Sequence, residues 1–133
     1  MTTIYRIADG AGDYRKAHAL IKAEGIEEKF QLSFPTLLAM EEDEVVGVLG
    51  TNVEQDYILA GPLVLKSDKK RSFTIVRLVD LYDTTMRACG IKSFLFCTEL
   101  TNTKWLEYID KVLGFKPYCE EDGRAWFIRN LEG

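Results

Sequence analysis

Four cationic side chains fall within six residues of this sequence and could bind a phosphate group. Lys66, Lys69, Lys70 and Arg71 lie directly before Ser72, and serine is a residue type that commonly caps the N-terminus of a helix. The free amides and the dipole of a helix N-terminus favour an anion, and the cations would add to that attraction. The same run is also typical of a solvated turn before a helix, and both interpretations stay open here.

The other polar residues offer less chemistry. Four adjacent carboxylates, Glu41 to Glu44, lie between two apolar runs, and this pattern favours a solvated hairpin turn because adjacent residues on a turn point apart. The three cysteines have no CxxC spacing, which is typical of free thiols in a reducing compartment. His18, the single histidine, falls on a predicted helix, where we expect a surface or capping role. We expect no metal site.

Composition limits what this chain can be. It has 133 residues, 47% hydrophobic and 29% charged, which are the proportions of one globular domain, so residues 1–133 are predicted to form a single domain. The net charge of −4 argues against a protein that coats nucleic acid or anionic membrane. The most apolar stretch, Tyr57 to Leu65, spans only nine residues, and a membrane-spanning helix needs about 20. With no secretory signal at the N-terminus, we expect a cytoplasmic protein.

Hydrophobic periodicity predicts a strand, a helix and a three-stranded meander in the first half of the chain. These elements are a strand at Thr3 to Ile7, a helix at Asp13 to Glu24 closed by Gly25, a looser segment to Leu32, and strands at Thr36 to Met40, Glu44 to Gly50 and Gln55 to Leu65. The last strand contains Gly61 and Pro62. Because proline cannot donate to a strand ladder and glycine marks bulges, we expect the pairing to be disrupted there.

The second half of the chain predicts a crossover and a final hairpin. Its elements are a helix from Ser72 to about Cys89, a strand at Lys92 to Thr98, a helix from Thr101 or Asn102 to Leu113, and strands at Phe115 to Glu120 and Arg124 to Asn130. A helix of about 17 residues between two strands is the spacing of a parallel crossover. The order predicts an α/β (α+β) fold with a single mixed, mostly antiparallel sheet of about six to seven strands and helices on both faces.

Four segments of the sequence resemble a known family when they are taken in this order. TIYRIADG is similar to its opening strand, and TLLAMEEDEVVGVLG to its second and third strands, with an acidic turn and a glycine after paired valines. LVLKSDKKRSFTIVRLV lies where that family has a pyrophosphate loop, and NTKWLEYIDKVLGF resembles its last motif, an asparagine opening a helix that ends in Leu-Gly-Phe. The family is the GNAT superfamily of acyl-CoA-dependent N-acyltransferases, and the resemblance covers essentially the whole chain.

The resemblance implies that acetyl-CoA is a cosubstrate, bound where the fourth and fifth strands separate at a bulge. In this chain Gly61 and Pro62 fall in the fourth strand, although an ordinary edge bulge is the alternative. The amides of pantetheine would pair with the main chain beyond this point, and the pyrophosphate would lie at the helix that begins near Ser72. The cofactor-binding residues so implied are Leu63, Val64, Leu65, Lys70, Arg71, Ser72, Phe73, Thr74, Ile75 and Asn102.

The pyrophosphate loop departs from the family's pattern. That pattern is a Gln or Arg followed by two residues, Gly, one residue, and Gly or Ala. Here Lys70 takes the basic position, while Phe73 and Ile75 take those of the two glycines. Glycines let main-chain amides approach a phosphate without an intervening side chain. Phe73 therefore either turns outward and leaves the loop usable, or fills the space of the pyrophosphate.

The resemblance also points to catalytic groups. The family's base is often a carboxylate on the fourth strand, where this chain has Leu59, so Glu99 at the end of the fifth strand is the candidate base. The family's acid is often a tyrosine four residues before the glycine of the Leu-Gly-Phe ending, a position that Asp110 holds here. Tyr108, six residues before Gly114, is the candidate acid. The alternatives are an exposed loop role for Glu99 and a packing role for Tyr108.

Two functions follow from the resemblance. The first is an acyl-CoA-dependent N-acyltransferase that moves an acetyl group from acetyl-CoA to an amine acceptor by direct attack. The second is a GNAT-fold binding or virion-assembly protein without catalysis, because the short chain and the loop without glycines most resemble GNAT-like proteins of short-tailed bacteriophages. It would work in the host cytoplasm or in the virion. Neither function needs membrane or nucleic acid, and a homodimer is left open.

Overall fold

The computed structural model of the protein describes residues 2–26, 31–69 and 72–132. Its elements are β1 (Thr3–Ile7), α1 (Gly10–Ala23), β2 (Leu37–Glu41), β3 (Glu44–Val53), β4 (Ile58–Leu65), α2 (Ser72–Ala88), β5 (Ser93–Glu99), α3 (Thr103–Lys111), β6 (Lys116–Glu121) and β7 (Arg124–Asn130), with a 3₁₀ turn at Ser67–Lys69. Part of the predicted looser segment before Leu32 lies outside the described residues. None of the described helices has the length and apolar composition needed to cross a lipid bilayer.

The seven strands of the described residues form one sheet in the order β1-β2-β3-β4-β5-β7-β6. Every neighbouring pair is antiparallel except β4 and β5, which run parallel. Helix α2 connects these two strands, as a parallel pair requires. The structure therefore confirms the predicted mixed, mostly antiparallel sheet and the crossover within it.

The helices cover both faces of the sheet, as predicted. On one face, Ala17, Leu20 and Ile21 of α1 pack on buried side chains of β2, β3 and β4. On the other face, α2 and α3 contribute to a larger core that also contains aromatic side chains of β5 and β7. Phe94 is buried in this core, and its ring centroid lies 5.0 Å from that of Tyr82 in an edge-to-face contact, a geometry that aromatic pairs favour.

Three element boundaries differ from the prediction by three residues, and others by one or two. Strand β3 continues to Val53 instead of Gly50, because Asn52 and Val53 still pair with β4. The other two differences also have local causes. Helix α1 begins at Gly10 instead of Asp13, because the Asp13 carboxylate accepts a hydrogen bond of 2.7 Å from the main-chain N–H of Asp9 and so stabilises an earlier turn. Strand β4 begins at Ile58 instead of Gln55. A main-chain hydrogen bond of 2.9 Å from Glu54 to Tyr57 closes a turn over those residues.

The buried Tyr82 makes the stability of this fold sensitive to alkaline pH. Thr51 donates its single hydroxyl proton to the carbonyl of Pro35 at 2.6 Å, so Tyr82 is the donor in the 2.7 Å bond between its hydroxyl and that of Thr51. Burial raises the pKa of Tyr82 to about 12, from 10.0. Between these two pKa values the tyrosine loses its proton in the unfolded chain but keeps it in the folded chain. The free energy of unfolding therefore falls as the pH rises.

We expect this tyrosine to lower the free energy of unfolding by about 1 kcal/mol between pH 9 and pH 11. Urea denaturation of the wild type and of Tyr82→Phe at both pH values measures the effect. The variant is less stable at pH 9 because it loses the hydrogen bond to Thr51, but its stability should change less between the two pH values. Equal changes in both proteins would contradict this assignment.

Candidate functional site

Strands β4 and β5 separate to form a cleft. Their Cα register consists of one pair, Leu59 with Leu95, and the strands diverge beyond it. The register of β3 against β4 also shifts here, since Leu49 pairs with Leu63 but Thr51 pairs with Ala60. Strand β4 therefore has one extra residue relative to β3, which defines a bulge. The bulge lies at Gly61 and Pro62, where the sequence predicts disrupted pairing.

The bulge depends on Gly61. Its φ of +144° lies in a region that side-chain-bearing residues rarely adopt, which explains why a glycine is needed. Its carbonyl accepts a hydrogen bond of 2.8 Å from Asn52 Nδ2 on β3. The β3 side of the bulge is therefore held in place, while the opposite edge of β4 faces the cleft.

The cleft has a volume of about 700 Å³ and combines residues of β4, β5, α2, α3 and β7. Its narrow end lies at the Leu59–Leu95 pair, and its wide end lies at the N-terminus of α2. Predicted site residues that line it are Leu63, Val64, Leu65, Ser72, Ile75, Glu99, Asn102 and Tyr108. A size of several hundred Å³ suits a small-molecule ligand.

Three helix ends meet at the wide end of the cleft. The hydroxyl of Tyr108 on α3 donates to the main-chain carbonyl of Ser72 at 3.3 Å, which ties α3 to the first residue of α2. Asn102 caps α3 by accepting a hydrogen bond of 3.2 Å from the Trp105 amide, as predicted. Beyond the end of α1, Glu24 accepts a hydrogen bond of 2.5 Å from the Ser67 hydroxyl. The predicted phosphate contacts Lys70 and Arg71 lie outside the described residues.

Phe73 and Ile75, which replace the expected glycines, point in different directions, and Thr74 lies between them. Phe73 turns outward, with 63% of its surface exposed and the Arg77 guanidinium 5.2 Å from its ring centroid, and it does not line the cleft. Thr74 is buried, and a Cβ built on Gly47 would lie 3.7 Å from its Cγ2. Ile75 does line the cleft. A ligand contact at residues 73 and 74 would come from their main chain and stays a prediction.

The two candidate catalytic residues both reach the cleft, where Glu99 is exposed and Tyr108 is half-buried. The Tyr108 ring stacks on that of Trp105 at 5.6 Å with an interplanar angle of 17°. Asp110, the residue in the family's tyrosine position, lies in a separate groove between α3 and β6. His18 does not line the cleft. The structure thus brings Glu99 and Tyr108 to one cavity, and their roles stay predictions.

The polar cleft residues that sequence analysis missed include Cys97 on β5 and Arg124 on β7. Arg124 Nη1 lies 3.8 Å from Cys97 Sγ. Burial raises the pKa of the Cys97 thiol, and the nearby guanidinium of Arg124 only partly opposes this rise. The thiol is therefore protonated at neutral pH and is a poor nucleophile. The described residues contain no group of three or more His, Cys, Asp or Glu side chains that could hold a metal ion.

Comparisons with known proteins support the fold. No family model matches the chain, and no curated protein matches it in sequence. Among solved structures, the ribosomal-protein-S18-alanine N-acetyltransferase of Escherichia coli has a TM-score of 0.74 at 11% identity, over 99% of this chain and 96% of the other. The PaiA N-acetyltransferase of Thermoplasma acidophilum in complex with coenzyme A has a TM-score of 0.76 at 12% identity, over 98% and 99%.

An aminoglycoside 6'-acetyltransferase type Ii is also similar, with a TM-score of 0.75 at 20% identity over 98% of each chain. These likenesses cover nearly the full length of every chain compared, at identities too low to carry over an activity. They show that this chain has the GNAT acyl-CoA N-acyltransferase fold, as its sequence predicts.

Proposed function

We propose that the protein is an acyl-CoA-dependent N-acyltransferase that transfers an acetyl group from acetyl-CoA to a primary amine by direct attack. The observation that carries the proposal is the cleft between β4 and β5, whose wide end lies at the N-terminus of α2. A helix N-terminus attracts a phosphate, and the cavity beside it would accommodate the pantetheine arm of acetyl-CoA. Several solved structures with this fold contain coenzyme A or acetyl-CoA.

The cosubstrate would lie along β4. Its pyrophosphate would meet the first turn of α2 at Ser72, with Lys70 and Arg71 adding positive charge just before the helix. Its pantetheine amides would pair with the main chain of Leu63–Leu65, which pairs with β3 on one side only. Unpaired main-chain groups at the edge of a strand are ready partners for an extended ligand. Asn102 would contact the ligand from the α3 side of the cleft.

In the proposed reaction, the amine nitrogen attacks the thioester carbon, the C–N bond forms, and the C–S bond breaks. Glu99, at the end of β5 and four residues beyond Leu95, would accept the proton of the amine through a chain of waters along the strand. Tyr108, whose hydroxyl is held at the Ser72 end of the cleft, would deliver a proton to the departing sulfur through intervening waters. Most of the acceleration would come from holding the two reactants together, which supplies about 7–11 kcal/mol in favourable cases. The protonated thiol of Cys97 supports direct attack over a covalent enzyme intermediate.

A second candidate function is a GNAT-fold binding or virion-assembly protein without catalysis, in line with the resemblance to bacteriophage proteins. Three residues favour it: Leu59 replaces the strand carboxylate, Ile75 places a bulky side chain in the cleft, and Asp110 stands in the family's tyrosine position. The two candidates share a fold and differ in whether acetyl-CoA is turned over.

Thermal unfolding in the presence of acetyl-CoA tests the proposal. A ligand at 100 times its Kd stabilises the folded state by about 2.7 kcal/mol, which raises the melting temperature of a domain this size by several degrees. A panel of amines with acetyl-CoA, assayed for release of the CoA thiol, then tests turnover. If millimolar acetyl-CoA causes no thermal shift, the proposed enzyme function is contradicted. A thermal shift without release of the CoA thiol in the presence of any amine would favour the second candidate.

A further inference from the structure

The cleft between β4 and β5 opens on both faces of the sheet. Successive side chains of a strand point to opposite faces, and where two strands separate, both sets can line the gap. Phe96 belongs to the core that α2 covers, and it lines the cleft from that face. Cys97, the next residue on β5, lines the cleft from the opposite face. A ligand can therefore reach the gap from either side.

Arg124 lies on the face of the sheet opposite to α2. Its neighbour Ala125 is buried in the core that α2 covers, so the Arg124 side chain points to the other face. It shares that face with Glu99, because the two residues are directly opposite in the register of β5 and β7. The proposed pyrophosphate site is the N-terminus of α2. Arg124 is therefore placed for the second substrate and not for the phosphates of the first.

Arg124 is the one cation among the described residues that line the cleft. Its Nη1 lies 3.8 Å from Cys97 Sγ, so the side chain leans along β5 toward the Leu59–Leu95 pair. Neither Glu99 nor Glu121, which lie opposite it on β5 and β6, forms an ion pair with it in the described part of the chain. A guanidinium has five N–H donors, and this one is available to an anion that enters the cleft.

The chemistry around Arg124 favours a carboxylate that is attached to a hydrocarbon chain. Leu59 and Cys97 line the same face between Arg124 and the Leu59–Leu95 pair, and the protonated thiol of Cys97 leaves this lining uncharged. A carboxylate fits the planar guanidinium with two parallel hydrogen bonds and carries a single charge. A phosphate carries close to two, which Glu99 and Glu121 would repel more strongly.

We propose that the acetyl acceptor is a primary amine that also carries a carboxylate, and that Arg124 binds this carboxylate. The inference rests on the proposed N-acyltransferase function and adds the chemical class of the acceptor. The amine attacks the thioester in the gap between the strands, while a methylene chain along Leu59 and Cys97 joins it to the carboxylate. Arg124 determines specificity and takes no part in the bond changes.

Steady-state rates with acetyl-CoA and matched amines test the acceptor class. Each set contains an ω-amino acid and the alkylamine, diamine and aminoalkyl phosphate of the same chain length, as in 4-aminobutyrate, butylamine and 1,4-diaminobutane. We expect kcat/KM to be at least about tenfold higher for the ω-amino acid than for its alkylamine in at least one set, the effect of one hydrogen bond to a charged group.

The outcomes separate this inference from the proposed function. If alkylamines, diamines or aminoalkyl phosphates react as fast as the ω-amino acids in every set, the inference is overturned and the proposed function stands. If acetyl-CoA binds but no amine of the panel reacts, both are contradicted. If acetyl-CoA does not bind, the proposed function fails, and the inference fails with it.

Substitutions at Arg124 locate the preference, and because this side chain is exposed they should not disturb folding. Arg124→Gln should lower the preference for the ω-amino acid to about threefold or less, since charge-assisted hydrogen bonds are about twice as strong as neutral ones. Arg124→Lys keeps the charge but loses the paired donors, so its preference should be intermediate.

Arg15→Gln is the matched control, because Arg15 is exposed on α1 and does not line the cleft. We expect it to leave the rates and the preference unchanged. Calorimetry should show that Arg124→Gln changes the affinity for acetyl-CoA by less than about threefold. The inference is overturned if Arg15→Gln lowers the preference as much as Arg124→Gln does, or if Arg124→Gln weakens acetyl-CoA binding instead of the preference.

Discussion

Replacing Arg129 with methionine is expected to lower the free energy of unfolding by about 3 kcal/mol. Arg129 on β7 donates from Nη2 and Nε to Asp83 Oδ2 of α2, at 2.6 and 3.1 Å. Its Nη1 donates to the carbonyls of Leu113 and Gly114 at 3.2 and 3.1 Å, just beyond α3. The variant would leave the Asp83 carboxylate, whose side chain is only 10% exposed, without its cation.

A double variant separates this loss of pairing from a loss of packing. Arg129→Met combined with Asp83→Leu removes the stranded charge, and buried ion pairs replaced on both sides by apolar residues often cost little. We expect the double variant to recover most of the stability lost in Arg129→Met, as measured by urea denaturation. If it is no more stable than the single variant, the cost comes instead from the two carbonyls or from the contact with the Phe115 ring at 5.3 Å.

Reversing the two charges before α2 is expected to weaken acetyl-CoA binding by at least about a hundredfold, because each charge-assisted hydrogen bond to a phosphate contributes about 1.5–3 kcal/mol. The variant is Lys70→Glu with Arg71→Glu. It leaves Ser72 and the start of α2 unchanged and places two carboxylates beside the proposed pyrophosphate position. Titration calorimetry with acetyl-CoA measures the change, and the effect should shrink at high salt.

The matched control makes the same change in net charge elsewhere. Lys92 and Lys116 are exposed and do not line the cleft, so Lys92→Glu with Lys116→Glu tests whether overall charge alone weakens binding. We expect less than a threefold change in this control, on the order of what screened charges at a distance produce. Similar losses in both variants would remove Lys70 and Arg71 from the binding site.

Local signals in the sequence were sufficient to predict most of the fold. Asn102 predicts the start of α3, and it does cap that helix. Asp122 and Gly123 predict the final hairpin turn, and both have positive φ, at 55° and 73°, as a two-residue hairpin loop requires. The spacing of strand, helix and strand predicts the parallel pair β4 and β5. Each of these signals acts over a few residues, or over one supersecondary unit.

The composition of the cleft depends on contacts that the sequence does not reveal. Cys97 and Arg124 come together only because β7 pairs with β5, with Cys97 opposite Trp126 and Glu99 opposite Arg124. One sequence signal for Tyr108 was available. It lies three residues after Trp105 and so shares its helix face, whereas Asp110 lies five residues after Trp105 and points elsewhere. Helical spacing relative to Trp105 therefore indicates which of the two side chains faces the cleft, whereas alignment to the Leu-Gly-Phe ending selects Asp110, which does not.

The single register pair between β4 and β5 also determines how the cleft can move. Two arms joined at one point pivot about that point, and the displacement of each part grows with its distance from the pivot. If the cleft opens, we expect its end at Leu59 and Leu95 to move least and its end between Ser72 and Tyr108 to move furthest. The hydrogen bond of 3.3 Å between those two residues is then the first contact expected to break. A molecule can thus enter or leave at the mouth while the walls around its far end keep their spacing.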